Sequence, residues 1–96
     1  MVFEWDPKKA ASNLRRQKVF FKEAATVFSD SLSITALDPD HSTEENRYLI
    51  IGQSNRHRLL IVSHTEQADR IRIISARELT PTEREAYEEK VQDRNE

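Results

Sequence analysis

The chain has no cysteine, which removes a disulfide framework, a thiolate metal site and a thiol nucleophile together, and suits a reducing compartment. No apolar run approaches the ~20 residues that cross a bilayer. The opening residues, Met-Val-Phe-Glu-Trp-Asp, lack the basic and apolar regions of a signal peptide. A cytoplasmic protein with no membrane partner is the expectation. Internal repeats and linkers are also missing. Between Ser31 and Asn46 there is no lysine or arginine, only Asp38, Asp40, Glu44 and Glu45. Together with His41 these carboxylates match no metal-ligand spacing of recognised geometry, so neither a metal nor a cofactor is expected.

What is present points to one domain, residues 1–96 with an ordered core over about 2–90. Charged residues make up 33% and hydrophobic ones 36%, and the hydrophobic residues are clustered and periodic, as a compact domain needs. A chain this short is near the lower limit for a self-sufficient core, so help from a partner or a second copy fits. The stretch Arg47 to Arg77 organises the rest. Its six arginines, Arg47, Arg56, Arg58, Arg70, Arg72 and Arg77, against Glu66 and Asp69 leave it at +4 in a chain of net charge −2. Glu78 to Glu96 carries seven acids against three bases. A site for an anion therefore belongs to the central sheet.

Val2 to Trp5 reads as a short strand. Asp6-Pro7 opens a helix to about Gln17, with a capping carboxylate followed by a residue whose missing N–H costs nothing there. A second helix runs from about Phe21 to Ser29, with Phe21, Ala24, Ala25 and Phe28 at helical spacing, and both helices are expected to cover one sheet face. Strands follow at Ser31–Leu37, Tyr48–Gln53, Arg58–His64 and Arg70–Arg77. Thr80-Pro81-Thr82-Glu83 opens a last helix as a capping box. Trp5 and Tyr48 read as core aromatics. The order βααββββα is an α+β fold, an antiparallel meander with two N-terminal helices and one C-terminal helix packed on it.

With Asn55-Arg56 as a two-residue turn, in which Asn55 tolerates positive φ, the hairpin pairs Ser54 with His57, Gln53 with Arg58, Ile51 with Leu60, Leu49 with Val62 and Arg47 with His64. A five-residue loop, Thr65–Asp69, then pairs His64 with Arg70. One face holds Arg47, Leu49, Ile51, Gln53, Arg58, Leu60, Val62, His64, Arg70, Arg72, Ile74 and Ala76. The other, expected to be the helix-covered core, holds Tyr48, Ile50, Gly52, Leu59, Ile61, Ser63, Ile71, Ile73 and Ser75, with Arg77 leaving it at the strand's end. A slip of one residue would change which arginines meet.

Several motifs together resemble the BrnT family of ribonuclease toxins from bacterial type II toxin–antitoxin systems. They are Phe3-Glu4-Trp5-Asp6 with Lys9 and Asn13, Phe20 to Phe28 with Asp30, Glu45 with Arg47-Tyr48, Ile51-Gly52-Gln53-Ser54 with Arg58-Leu59-Leu60, Arg72-Ile73-Ile74-Ser75-Ala76-Arg77, and Glu83-Arg84 with Tyr87. The likeness covers about residues 3 to 90. Two positions depart from the family pattern. Arg16-Gln17-Lys18 stands where the family usually writes Lys-His-Gly, and His57 stands at a usual turn glycine.

The resemblance implies a RelE-like fold, a metal-independent endoribonuclease that slows translation, an RNA substrate and a BrnA-type antitoxin. It leaves open a homodimer or a toxin–antitoxin hetero-oligomer. Such an enzyme needs positive charge on the scissile phosphate and groups that accept and donate a proton. Arg47, Arg58 and Arg77 are the candidates for the first role, and His64 or Glu45 for the second. Lys9, Arg16, Lys18, Arg72 and Arg84 are candidate RNA-backbone contacts. The rival readings are a catalytically inactive module that only engages an antitoxin, motivated by Gln17, and a structural protein that associates through a sheet edge or the last helix.

Overall fold

The computed structural model describes residues 1–41 and 46–94. The elements are β1 (Val2–Glu4), α1 (Pro7–Gln17), α2 (Phe21–Thr26) continued by a 3₁₀ turn (Val27–Ser29), β2 (Ile34–Leu37), a second 3₁₀ turn (Pro39–His41), β3 (Arg47–Gln53), β4 (Leu59–Gln67), β5 (Arg70–Glu78) and α3 (Pro81–Arg94). Both expected helix openings form. Asp6 accepts the Lys8 N–H at 2.8 Å, and Thr80 and Glu83 cap each other reciprocally, Glu83 N–H to Thr80 Oγ1 at 3.2 Å and Thr80 N–H to Glu83 Oε1 at 2.9 Å.

The five strands form one sheet in the order β1-β5-β4-β3-β2. The meander is antiparallel as expected, and β1 adds a parallel edge through Val2–Arg70 to Glu4–Arg72 pairing, so the sheet is mixed. β1 covers only the first part of β5. Further along, α1 takes over that edge: the Asn13 carboxamide accepts the Ala76 N–H at 3.0 Å and donates to the Val19 carbonyl at 3.0 Å. Asn13 thereby satisfies a strand group that β1 leaves unpaired. The core lies on one face, where Phe21, Ala24 and Val27 meet Ile50, Leu60, Val62, Ile71, Ile73 and Ala76. Thus α2 covers that face, while α1 flanks the edge strand and contributes Ala10 to the core. Gly52 lies beneath the 3₁₀ turn, where a Cβ would stand 3.0 Å from Asp30 Oδ2 and 3.1 Å from Val27 Cγ1.

The expected hairpin register is wrong by one residue. Gln53 pairs with Leu59, Ile51 with Ile61, Leu49 with Ser63 and Arg47 with Thr65. The loop has three residues, Asn55 to His57, closed by Ser54 N–H to the Arg58 carbonyl at 2.8 Å and His57 N–H to the Ser54 carbonyl at 3.0 Å. His57, not Asn55, takes the left-handed conformation, with φ 62. The Ser54 side chain fixes this loop: it is buried, donates to Glu23 at 2.7 Å and accepts the Arg56 and Arg58 N–H groups. Consequently Leu60, Val62 and His64 turn into the core, and Leu59, Ile61 and Ser63 face the other way.

The next connection also differs. β4 and β5 meet through a tight turn at Ala68 and Asp69, with Gln67 opposite Arg70 and His64 opposite Ile73. A bulge between Ser63 and His64 then inserts Ile74 on the facing strand, so Ser75 and Arg77 join Ser63 and Ile61 on the outer face while Ala76 joins the core. Among the described residues, no helix is long and apolar enough to cross a membrane.

Candidate functional site

On the outer face a cleft of about 270 Å³ opens between α1 and the 3₁₀ turn after β2. Its floor is a row across three strands, Leu49, Ser63 and Ser75, with Ile61 beside them. Arg47 and Arg77 stand in its lining, Asn13 and Gln17 come from α1, and Asp38, Asp40 and His41 come from the turn. A second cleft of about 200 Å³ adjoins it through Asn13, Gln17 and Ser75, and adds Lys9 and Arg16. The register found in the structure creates this tract, because only it brings Arg77 onto the face that already holds Arg47.

Arg77 is held to α3. Its two terminal nitrogens donate to the two Glu83 oxygens at 2.8 and 2.9 Å, and the same guanidinium reaches the Glu78 carbonyl at 3.2 Å. This fork geometry, with the Thr80 N–H, pushes the Glu83 carboxyl down to about 2 and raises the Arg77 guanidinium. Arg47 lies over the floor with Nε 3.4 Å from Ser63 Oγ and 3.9 Å from Asp38 Oδ2. Asp38 is 4% exposed. One of its oxygens accepts the Asp40 N–H at 3.0 Å, and the other, shared with Arg47, accepts from His41 Nδ1 at 2.9 Å.

The sequence profile of the ribonuclease toxin family BrnT, of type II toxin–antitoxin systems, matches residues 5–83. This chain belongs to the BrnT family. A crystal structure of the Brucella abortus ribonuclease toxin, BrnT, superposes with a TM-score of 0.65 over 83% of this chain and 99% of that one, at 17% identity. At that identity the likeness establishes the α+β fold. No curated protein matches the chain. Membership in the BrnT family implies an RNA substrate and an antitoxin partner.

Of the residues singled out in this BrnT-family sequence, Arg47, Arg77, Lys9 and Arg16 come together in the tract. Arg58 does not. It projects toward α2, where its guanidinium forks onto Glu23 through Nε and Nη2, reaches Glu78 at 3.3 Å and donates to the Lys18 carbonyl at 3.1 Å. The pairing lowers the Glu23 carboxyl and raises Arg58, mainly through their mutual hydrogen bond. His64 is also elsewhere, at 0% exposure in the core. Its ring meets Phe28 edge-on at 4.8 Å and stacks on Tyr48 at 6.0 Å, with Nε2 2.8 Å from Glu66. The expectation that His64 shares a face with the arginines is therefore corrected: the shifted register carries it to the opposite side of the sheet.

Lys18 caps α1 in the left-handed conformation. Arg72 lies on the outer face beside Glu4, 3.9 Å away, in a separate depression with Asn46 and Arg70. Arg84 is exposed on α3. Glu45 lies outside the described residues. Sequence reasoning missed His41 and Asp38 as a pair, having weighed them only as metal ligands. The available signal was their i, i+3 spacing across Pro39, which a 3₁₀ turn brings to one side.

Proposed function

We propose that this chain is an endoribonuclease that cuts RNA in the outer-face cleft without a metal ion, slows translation by doing so, and is neutralised by a BrnA-type antitoxin. One observation carries the reading: two arginines from different strands, Arg47 and Arg77, flank one cleft that Lys9 and Arg16 extend along α1. In a BrnT-family chain such a tract suits a strand of phosphates, with the terminal cations tracking the backbone and the two strand-borne guanidiniums at the reacting phosphorus. Guanidinium charge can stabilise the pentacoordinate phosphorane-like transition state in the role a cation would otherwise fill.

The test is incubation of the purified chain with labelled RNA in EDTA, followed by the same assay after adding the antitoxin. Cleavage in EDTA that the antitoxin abolishes supports the reading. Intact RNA with and without divalent ions contradicts it.

A second reading has its own observation. Gln17 lines the cleft at the position where the family resemblance puts a histidine, and Arg77 is already engaged by Glu83. A catalytically inactive chain that still binds antitoxin would carry these features. Gln17→His separates the two, because the appearance of cleavage only in that variant favours the inactive module.

A further inference from the structure

We infer that His41, oriented by Asp38, is the proton acceptor for RNA cleavage in this cleft; the inference rests on the ribonuclease reading. His41 Nδ1 lies 2.9 Å from Asp38 Oδ2. A carboxylate can only accept, so the neutral ring carries its proton on Nδ1 and leaves Nε2 with an open lone pair. This is the arrangement by which a carboxylate fixes the tautomer of a general base. His41 lines the cleft with its side chain 40% exposed, whereas the Asp38 side chain is 6% exposed. The orienting group is buried and the acting group faces the substrate space.

Three further facts support a built arrangement. Asp38 is itself fixed on every side: its N–H donates to the Arg47 carbonyl at 3.1 Å, its carbonyl accepts the His41 N–H at 3.2 Å, and its second oxygen accepts the Asp40 N–H at 3.0 Å. The oxygen that binds His41 is also the one 3.9 Å from Arg47 Nε. One carboxylate thus holds an imidazole and a guanidinium against the same cleft, a pairing of proton acceptor and phosphate cation. Among the described residues the other histidine with a carboxylate partner, His64, is sealed in the core and cannot meet a substrate.

In the step assigned to it, His41 Nε2 takes the proton of the ribose 2′-hydroxyl as that oxygen forms a bond to phosphorus. The bond from phosphorus to the 5′-oxygen breaks, its electron pair stays on the 5′-oxygen, and that oxygen takes a proton from water. The products are a 2′,3′-cyclic phosphate and a 5′-hydroxyl, and His41 returns its proton to solvent.

The experiment compares wild type, His41→Ala and His41→Asn on a 5′-labelled RNA oligonucleotide and on the same oligonucleotide with one 2′-deoxy sugar at the cut site. Asparagine keeps an N–H for Asp38 but has no distal acceptor, so it separates the base from the turn it supports. Both variants should cut at least about a hundredfold more slowly, the size of a lost general base, while binding the uncleavable oligonucleotide within about twofold of wild type. Free imidazole should restore part of the rate to His41→Ala and none to His41→Asn. Wild-type cleavage by either folded variant overturns the inference while leaving the ribonuclease reading in place. Cleavage of the 2′-deoxy substrate, or a loss of binding as large as the loss of rate, overturns it as well. An inactive wild type would remove the ribonuclease reading and the inference together.

Discussion

Replacing Arg58 by alanine should unfold this protein more readily without touching the cleft. The perturbation strips a bidentate partner from Glu23, whose side chain is 4% exposed, and leaves that carboxylate with the Ser54 hydroxyl. Breaking a buried ion pair from one side typically costs 3 to 5 kcal/mol. Arg58 is 24% exposed, so water reaches part of the vacated space and the expected loss is about 3 kcal/mol. For a domain of this size that lowers the midpoint by roughly 12 to 24 °C. The pH dependence follows from Glu23, whose carboxyl is lowered in the folded state. Its contribution is complete above the ordinary carboxylate range and is lost as pH falls through the lowered value, so the gap between wild type and Arg58→Ala should close in acid. Thermal melts at neutral and acidic pH measure this, and the double variant with Glu23→Gln should cost less than the two single changes together. A change below about 1 kcal/mol, too small for a half-buried clamp, together with abolished RNA cleavage would show that Arg58 serves the substrate and not the fold.

Lys18 and His57 both occupy the left-handed region, at φ 60 and 62, where a side chain costs on the order of 1 kcal/mol and glycine does not. Lys18→Gly and His57→Gly should each raise stability by about 0.5 kcal/mol after the extra chain entropy is subtracted, additively, as read by urea unfolding. Glu83→Gln keeps the cap on Thr80 but removes the charge opposite Arg77. With both side chains more than a third exposed, solvent screening reduces the loss to about 1 kcal/mol. Because the Glu83 carboxyl is lowered to about 2, that difference should be full above about pH 4.5 and vanish as pH falls toward the folded value. The freed Arg77 should also bind RNA several-fold more tightly, with a steeper salt dependence, in a fluorescence-anisotropy titration.

Local features were legible in the sequence. Asp6-Pro7 and Thr80 with Glu83 act within four residues of themselves, and they start helices where expected. The strands were legible too, because β-branched runs between turn residues leave few alternatives. Register was not. A two-residue turn at Asn55-Arg56 leaves Arg58 on the side away from the helices, whereas in the structure Glu23, 35 residues before Arg58, pairs with it on the helix-covered side and also fixes Ser54. The whole β4 face inverted with it, exchanging His64 for Ser63 on the cleft side. The parallel partnership of β1 with β5 and the edge seal by Asn13, 63 residues from Ala76, are likewise long-range. Arg47, Arg58 and Arg77 are alike in the sequence, each at or beside a strand end, and only the register separates them: Arg47 and Arg77 line the cleft, and Arg58 turns to Glu23.

The claim that the outer-face cleft is the ribonuclease site is tested most directly by single-turnover cleavage of labelled RNA in EDTA by wild type and Arg47→Ala. Arg47 sits over the cleft floor on a central strand, away from the α2 clamp and the α3 anchor. Arg47→Ala should retain a cooperative melt and cut on the order of a hundredfold more slowly, the effect of losing one donor to a developing phosphate charge. A folded Arg47→Ala protein that cuts RNA at the wild-type rate would contradict it.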